Sequence, residues 1–295
     1  LVFIRTPPIK QSEYTTIFNT NELPSDGSSL DYRILPCIGN GHLATVVFSE
    51  FIYMNGLYNG VFIETLENDE IRIERQLFAS QEYVELLIAY VVLTRLKSTG
   101  KQIVIPVEVN EQRTSSDIDF TVDTHNDEYV LLSGETRQVE NDRFQKERTT
   151  VFVYYTSLPV NGLKLGKHEK SRKYVFVTSI DEKQSRAKSS FDYATHKQHA
   201  DKLLLSHVSR WNHIWSDGDV KVSGDDELQR QINSAFYYIL SSLPPLSTLS
   251  EHRQFYGISP GSLSRGGFIS EDYGGHSFWD TETWIFPSVL LFYPT

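Results

Sequence analysis

A large antiparallel β domain followed by a helical segment is the fold class that this sequence predicts, and three observations predict it. Up to about residue 180, short apolar runs rich in β-branched and aromatic residues alternate with polar turns, without a sustained 3.6-residue period. Near residue 190 the period changes: Ala200, Leu204, Val208, Trp211 and Trp215 recur at steps of four, four, three and four. Aromatic residues make up 13% of the chain, a level that favours β structure, carbohydrate contacts, or both. At 295 residues the chain has room for two domains or for one large β domain.

The elements justify this reading in order. Residues 1–30 are polar, with Pro7-Pro8, Pro24 and a turn or loop over Ser25–Ser29. Gly39-Asn40-Gly41-His42 then leads into the apolar run Leu43–Phe48 and reads as a hairpin turn, with Asn40 or His42 near a functional site as the alternative. It is not a phosphate cradle, because GxGxxG spacing is missing and no Lys-Ser/Thr follows. Strands are expected over Ile71–Leu77, Val84–Val92, Ile103–Val109, Ile118–Val122, Tyr129–Leu132, Val151–Tyr155 and Tyr174–Val177. Together they read as an antiparallel β-sandwich. Glu64, Glu108 and Asp119 dot these strands without partners at metal-ligand spacing and read as solvated, as does the basic loop around Lys164, Lys167, Lys170, Arg172 and Lys173.

Beyond residue 190 the stripe through Trp215 predicts a helix ending at Ser216-Asp217-Gly218, with both tryptophans in a core rather than a ligand site. A short strand is expected at Val220–Val222. Ser223 with an acid three residues on resembles a capping box, opening a helix with the stripe Leu228, Ile232, Phe236 and Leu240, and Pro244-Pro245 stop it. After a Ser/Gly-rich loop, Asp280-Thr281 can cap a last helix through Trp284, Val289 and Phe292.

Composition excludes several functions. The net charge of −10 and the lack of a basic cluster with interleaved aromatics argue against nucleic acid. No apolar run reaches the roughly 18 residues of a membrane span. The single cysteine, Cys37, precludes an internal disulfide, and no Asn-x-Ser/Thr acceptor occurs; both fit a cytoplasmic location. No metal is implied. The apolar run Val289–Tyr293 just before Thr295 suggests a fragment.

Chemistry concentrates in Tyr273-Gly274-Gly275-His276-Ser277-Phe278-Trp279-Asp280-Thr281-Glu282-Thr283-Trp284. Aromatic planes beside carboxylates suit a sugar, with an apolar face to stack on and acceptors for hydroxyls. A buried aromatic turn with an N-capping acid would give the same residues.

The order of motifs carries a resemblance. Gly39-Asn40-Gly41-His42 is followed by Trp211-Asn212-His213-Ile214-Trp215, Gly224-Asp225-Asp226-Glu227-Leu228-Gln229, Gly257-Ile258-Ser259-Pro260-Gly261 and Gly275-His276-Ser277-Phe278-Trp279-Asp280-Thr281-Glu282. This order resembles glycoside hydrolase family 65, which holds trehalases and disaccharide phosphorylases. The resemblance implies a multidomain α and β fold: a β-sandwich over residues 1–190, a helical linker over 191–224, and over 225–295 the N-terminal part of an (α/α)6 catalytic barrel. It implies that Trp279 and Asp280 bind substrate, contacting the glucose whose bond is cleaved, with His276 and Glu282 as possible supports behind them. It implies a carbohydrate substrate, no cofactor and an inverting reaction whose general acid and base lie beyond residue 295, so that Asp280 is the residue here expected to be essential. The activity implied for the full-length protein is removal of glucose from glucosyl-galactosyl-hydroxylysine of collagen-type peptides. A disaccharide phosphorylase or trehalase is the alternative, and a non-catalytic sugar-binding fragment the second. The loop Arg265–Asp272 is longer than in the bacterial phosphorylases of the family, which leaves Tyr273 without an assigned counterpart.

Overall fold

A computed structural model describes residues 16–18, 37–47, 55–58, 60–98, 100–107, 117–139, 143, 147–196, 198–218, 220–245 and 278–292. A mostly antiparallel β-sheet region is followed by four helices. The expectations at Glu108, His276 and the loops between residues 246 and 277 lie outside the described residues. The chain falls into two compact units, each with its own core.

The first unit contains Leu66–Glu74 and Glu85–Ala200. Its sheet runs in the order β7 (Leu86–Arg95), β13 (Ser171–Asp181), β11 (Thr150–Thr156), β10 (Tyr129–Thr136) and β9 (Ile118–His125). All four pairings are antiparallel, with Val177 opposite Ile88, Tyr154 opposite Ser179, and Leu131 opposite Tyr154. Because side chains alternate across a strand, each such row lies on one face. One face holds Leu86, Ile88, Tyr90, Val177 and Tyr154, all buried. Helix α1, Gln184–Thr195, covers it with Ala187, Phe191 and Ala194. Tyr129, Tyr154 and Phe191 form a ring cluster with centroids 5.5–5.8 Å apart. The start of α1 lies six residues before residue 190, because its first turns are small and polar and carry little apolar signal. Arg186 ties it down by reaching the buried carboxylates of Glu85 and Asp181.

The opposite face of β7 carries Leu93. This residue packs with Ile71, Leu163 and Leu165 under a small two-stranded antiparallel sheet of β8 (Ile103–Ile105) and β12 (Leu163–Leu165). The Tyr174 hydroxyl closes that contact by donating to Lys164 O at 2.7 Å and accepting from Lys164 N at 2.8 Å.

The second unit contains Arg75–Val84 and the described parts of Arg5–Thr65 and Asp201–Thr295. Strand β1 (Thr16–Phe18) pairs with β4 (Asn55–Tyr58), and β4 with β5 (Val61–Glu67), all antiparallel; β6 is Ile71–Ala79. The Gly39–His42 motif is a hairpin turn joining β2 (Cys37–Gly39) to β3 (Ala44–Val46). Gly41 adopts φ +79°, and a Cβ there would sit 2.1 Å from the Leu243 carbonyl carbon, so only glycine fits.

Helix α2 is Ala200–Asp217 and α3 is Asp226–Leu240. Their apolar stripes are rotated from the expected ones. In α2 the line buried in this unit is Leu203, His207, Trp211 and Trp215, while Leu204 and Val208 are half-buried. In α3 the buried face is Asn233, Tyr237 and Leu240, and Leu228 is exposed. The core gathers Ile38, Val47, Phe62, Trp211, Trp215, Tyr237 and Leu240. Both tryptophans are therefore core residues, as expected, with Trp211 and Tyr237 rings 5.0 Å apart. Burying side chains of this size contributes on the order of 2–3 kcal/mol each.

Three local expectations are corrected. Glu64 is not solvated: it is buried and paired with Arg75 at 2.8 Å. Val220–Val222 is not a strand; the Gln229 side chain holds it, accepting from Val222 N at 2.6 Å and donating to Val220 O at 2.8 Å. The cap of α3 is Asp225 rather than Ser223, its carboxylate accepting from Glu227 N and Leu228 N. Asp119, by contrast, is exposed as expected and pairs there with Arg137.

Candidate functional site

Residues 278–292 of the second unit carry the predicted sugar-binding pair. A helical turn begins at Trp279-Asp280, continues as a π-helical turn over Thr281–Ile285, and becomes helix α4, Phe286–Phe292. The start is fixed by Thr281, not by Asp280. Phe278 N donates to Thr281 Oγ1 at 3.1 Å, and Thr281 N donates to Phe278 O at 3.0 Å. Asp280 has helical dihedrals, and its side chain makes no capping hydrogen bond. The expected capping role at this position thus falls to the threonine, and the Asp280 carboxylate is left clear of the backbone.

The π turn has a local cause. Pro287 has no N–H to offer, and its ring crowds the carbonyl four residues back. The backbone widens before it, with Phe286 N bonding to Thr281 O. The hydroxyls of Thr283 and Ser288 bond the carbonyls of Trp279 and Trp284, both at 3.0 Å, which satisfies acceptors in the distorted stretch.

The result is an aromatic plane and a carboxylate on adjacent residues of one helix start. Trp279 is 58% exposed and Asp280 half-buried, while Thr281, the first residue of the π turn, is buried. Phe278 stands beside Trp279 with ring centroids 6.3 Å apart. An exposed indole next to a free acceptor is the pairing that pyranose recognition needs. Glu282 is exposed and two residues from Asp280, a spacing at which helical side chains do not face each other. His276 lies outside the described residues. No group of three or more His, Cys, Asp or Glu positioned to hold a metal occurs among the described residues.

The hairpin turn shows a different arrangement. Asn40 is fully buried, and its amide makes four hydrogen bonds. Nδ2 donates to Ser80 O and Val84 O, and Oδ1 accepts from His42 N and Leu43 N. That exhausts its hydrogen-bonding capacity, so Asn40 holds the turn and is not open to a ligand. Sequence reading missed a buried titratable group, His207. It is fully buried under Phe78, and its Nε2 lies 3.2 Å from Gly60 O. Burial pushes its pKa down to about 4, with the Gly60 carbonyl acting weakly the other way.

No family model matches the chain. Curated relatives named protein-glucosylgalactosylhydroxylysine glucosidase match at 27–30% identity over most of it. That of Gallus gallus is 28% identical over 321 residues, covering 96% of this chain and 44% of the relative. A kojibiose hydrolase of Flavobacterium johnsoniae is 39% identical over 93 residues, 32% of this chain and 12% of its own. A solved structure titled putative kojibiose phosphorylase from human microbiome superposes with a TM-score of 0.55 at 15% identity, covering 94% of this chain and 36% of that one; the likeness is one of fold. The chain spans less than half the length of the glucosidase relatives. The resemblance to family 65 glycoside hydrolases carried by the sequence motifs is therefore upheld, and over nearly its whole length this chain is similar to the protein-glucosylgalactosylhydroxylysine glucosidases.

Proposed function

We propose that this chain is the N-terminal part of an inverting glycoside hydrolase that removes glucose from glucosyl-galactosyl-hydroxylysine in collagen-type peptides. The observation that carries the reading is the match to four glucosidases of that name over 87–96% of the chain. Residues 1–190 then form the β-sandwich, 191–224 the linker, and 225–295 the first helices of an (α/α)6 barrel. Trp279 supplies the apolar wall against one face of the glucose, and Asp280 accepts from its hydroxyls. His276 and Glu282 support them from behind.

The reaction needs two further carboxyl groups, roughly 6.5–9.5 Å apart: an acid to protonate the leaving oxygen, and a base to activate water on the opposite face of the ring. In this proposal later barrel segments supply them. Asp280 acts earlier, holding the ring while positive charge develops at its anomeric carbon. Hydrogen bonds that tighten as that charge develops accelerate the reaction, whereas bonds of constant strength only improve binding. The protein acts on a carbohydrate, not on nucleic acid or membrane, and works in the cytoplasm. Among the described residues no helix is long and apolar enough to cross a membrane.

Replacing Asp280 by Asn in the full-length protein is expected to lower kcat/KM by roughly two to three orders of magnitude. Near-normal kcat/KM removes the assignment. The kojibiose relatives favour a second reading, disaccharide hydrolysis or phosphorolysis. Glucose release assayed from each sugar with and without phosphate separates them, since phosphate-dependent β-glucose 1-phosphate marks a phosphorylase.

A further inference from the structure

The first unit contains a cavity of about 520 Å³ that the glucosidase reading does not use. It opens on the sheet face that does not carry α1. Its floor follows from strand register: His125 lies opposite Val130, Val130 opposite Tyr155, and Tyr155 opposite Thr178, so the four side chains form one row across β9, β10, β11 and β13. Phe176, two residues before Thr178, shares their face, and Val107 contributes to the lining. The loop after β11 forms the remaining wall and carries Val160 fully exposed.

The composition of the lining selects the ligand. No Lys, Arg, Asp or Glu is among its described residues, so neither a phosphate nor an ammonium group finds a charge partner. The base is apolar, with Val130 buried beneath two half-buried aromatic rings. Three residues of the lining carry polar groups: the Tyr155 hydroxyl, the His125 imidazole and the Thr178 hydroxyl. None of these has a hydrogen-bond partner among the described residues. Ser157 and Thr156 differ in that their hydroxyls are committed to Asn126 O and to the Val177 backbone. An apolar base, aromatic planes and a few unpaired neutral donors and acceptors fit an uncharged polyhydroxylated ring. The volume lies within the range of small-molecule sites.

We propose that this cavity is a saccharide-binding site of the β domain, separate from the Trp279–Asp280 pair. The choice of a saccharide over other uncharged ligands rests on the carbohydrate reading given above. Tyr155 and Phe176 supply the stacking surface, and His125, Tyr155 and Thr178 bond the hydroxyls.

The test is titration of the 295-residue chain with kojibiose and with glucosyl-galactose, followed by saturation-transfer NMR and calorimetry. Saturable binding is expected. Tyr155→Ala should weaken it by roughly tenfold through loss of the ring, and Tyr155→Phe and His125→Ala by about threefold each through loss of one hydrogen bond. Circular dichroism checks that each variant is folded. Should Tyr155→Ala fail that check, the other two variants carry the decision. Absence of saturable binding by the wild-type chain, or binding unchanged in the folded variants, overturns the proposal. A full-length protein that releases no glucose from glucosyl-galactosyl-hydroxylysine would remove the glucosidase reading without touching this binding result, so the two failures are distinguishable.

Discussion

Lowering the pH should unfold the second unit through one residue, His207. The side chain is completely buried in α2, with Phe78 against it at a centroid distance of 4.8 Å and Trp211 at 6.5 Å. Its Nε2–H donates to Gly60 O, and its Nδ1 is buried without a hydrogen-bond partner among the described residues. Desolvation therefore favours the neutral ring and holds its pKa at about 4, against an ordinary 6.5. The unfolded chain takes up a proton below about 6.5, whereas the folded chain resists until about 4. The contribution to stability is thus fully present above pH 6.5, shrinks as pH falls, and is lost below about pH 4. At about 1.4 kcal/mol per pH unit, the gap amounts to about 3 kcal/mol, a large part of the margin of an ordinary domain. Urea unfolding of wild type and His207→Gln at pH 7.5, 6.5, 5.5 and 4.5 isolates it, because glutamine can keep the bond to Gly60 but cannot titrate. The wild type should lose stability relative to the variant steadily below pH 6.5. Parallel curves across that interval would refute the assignment of acid sensitivity to His207.

Two further substitutions probe the same unit. Asp225→Ala removes the carboxylate that caps α3 and should cost about 1 kcal/mol, read by chemical denaturation. Gly60→Ala places a Cβ 2.0 Å from Trp211 Nε1 on a backbone with φ +72°, so a loss of at least about 3 kcal/mol is expected. A variant melting within a degree or two of wild type would show that Trp211 can yield.

The sheet was legible because its strands are half-buried. A half-buried strand alternates, and alternation survives in the sequence of Ile71–Leu77, whereas β7, covered on both faces, reads as a continuous apolar run. The helices were legible as helices but not in rotation. The apolar periodicity places the buried stripe on the wrong line, because α2 buries His207 and α3 buries Asn233 and the ring of Tyr237. In each case a polar residue occupies the core line because a local partner accepts it: Gly60 O for His207, and the Gln229 amide for Asn233. The same partnering explains Glu64, which looked solvated in sequence and is buried against Arg75. The pairs of His207 with Gly60 and of Glu64 with Arg75 join residues well separated in sequence, so no local pattern announces them.

The Trp279–Asp280 stretch poses a different question, and the structure sharpens it. In sequence an acid before a helix reads first as a cap, and capping would have consumed the carboxylate. Thr281 takes that role through its reciprocal bonds with Phe278. An acid released from capping, beside an indole left more than half exposed, has no structural task in the helix that carries it. Exposing a large indole forgoes the hydrophobic stabilisation its burial would bring. The same element also leaves Trp284, Leu290 and Leu291 exposed, so exposure alone does not single out Trp279. The sequence holds both readings open because the residue types are the same in each, and the hydrogen bonds of the helix start decide only the capping part, which goes to Thr281.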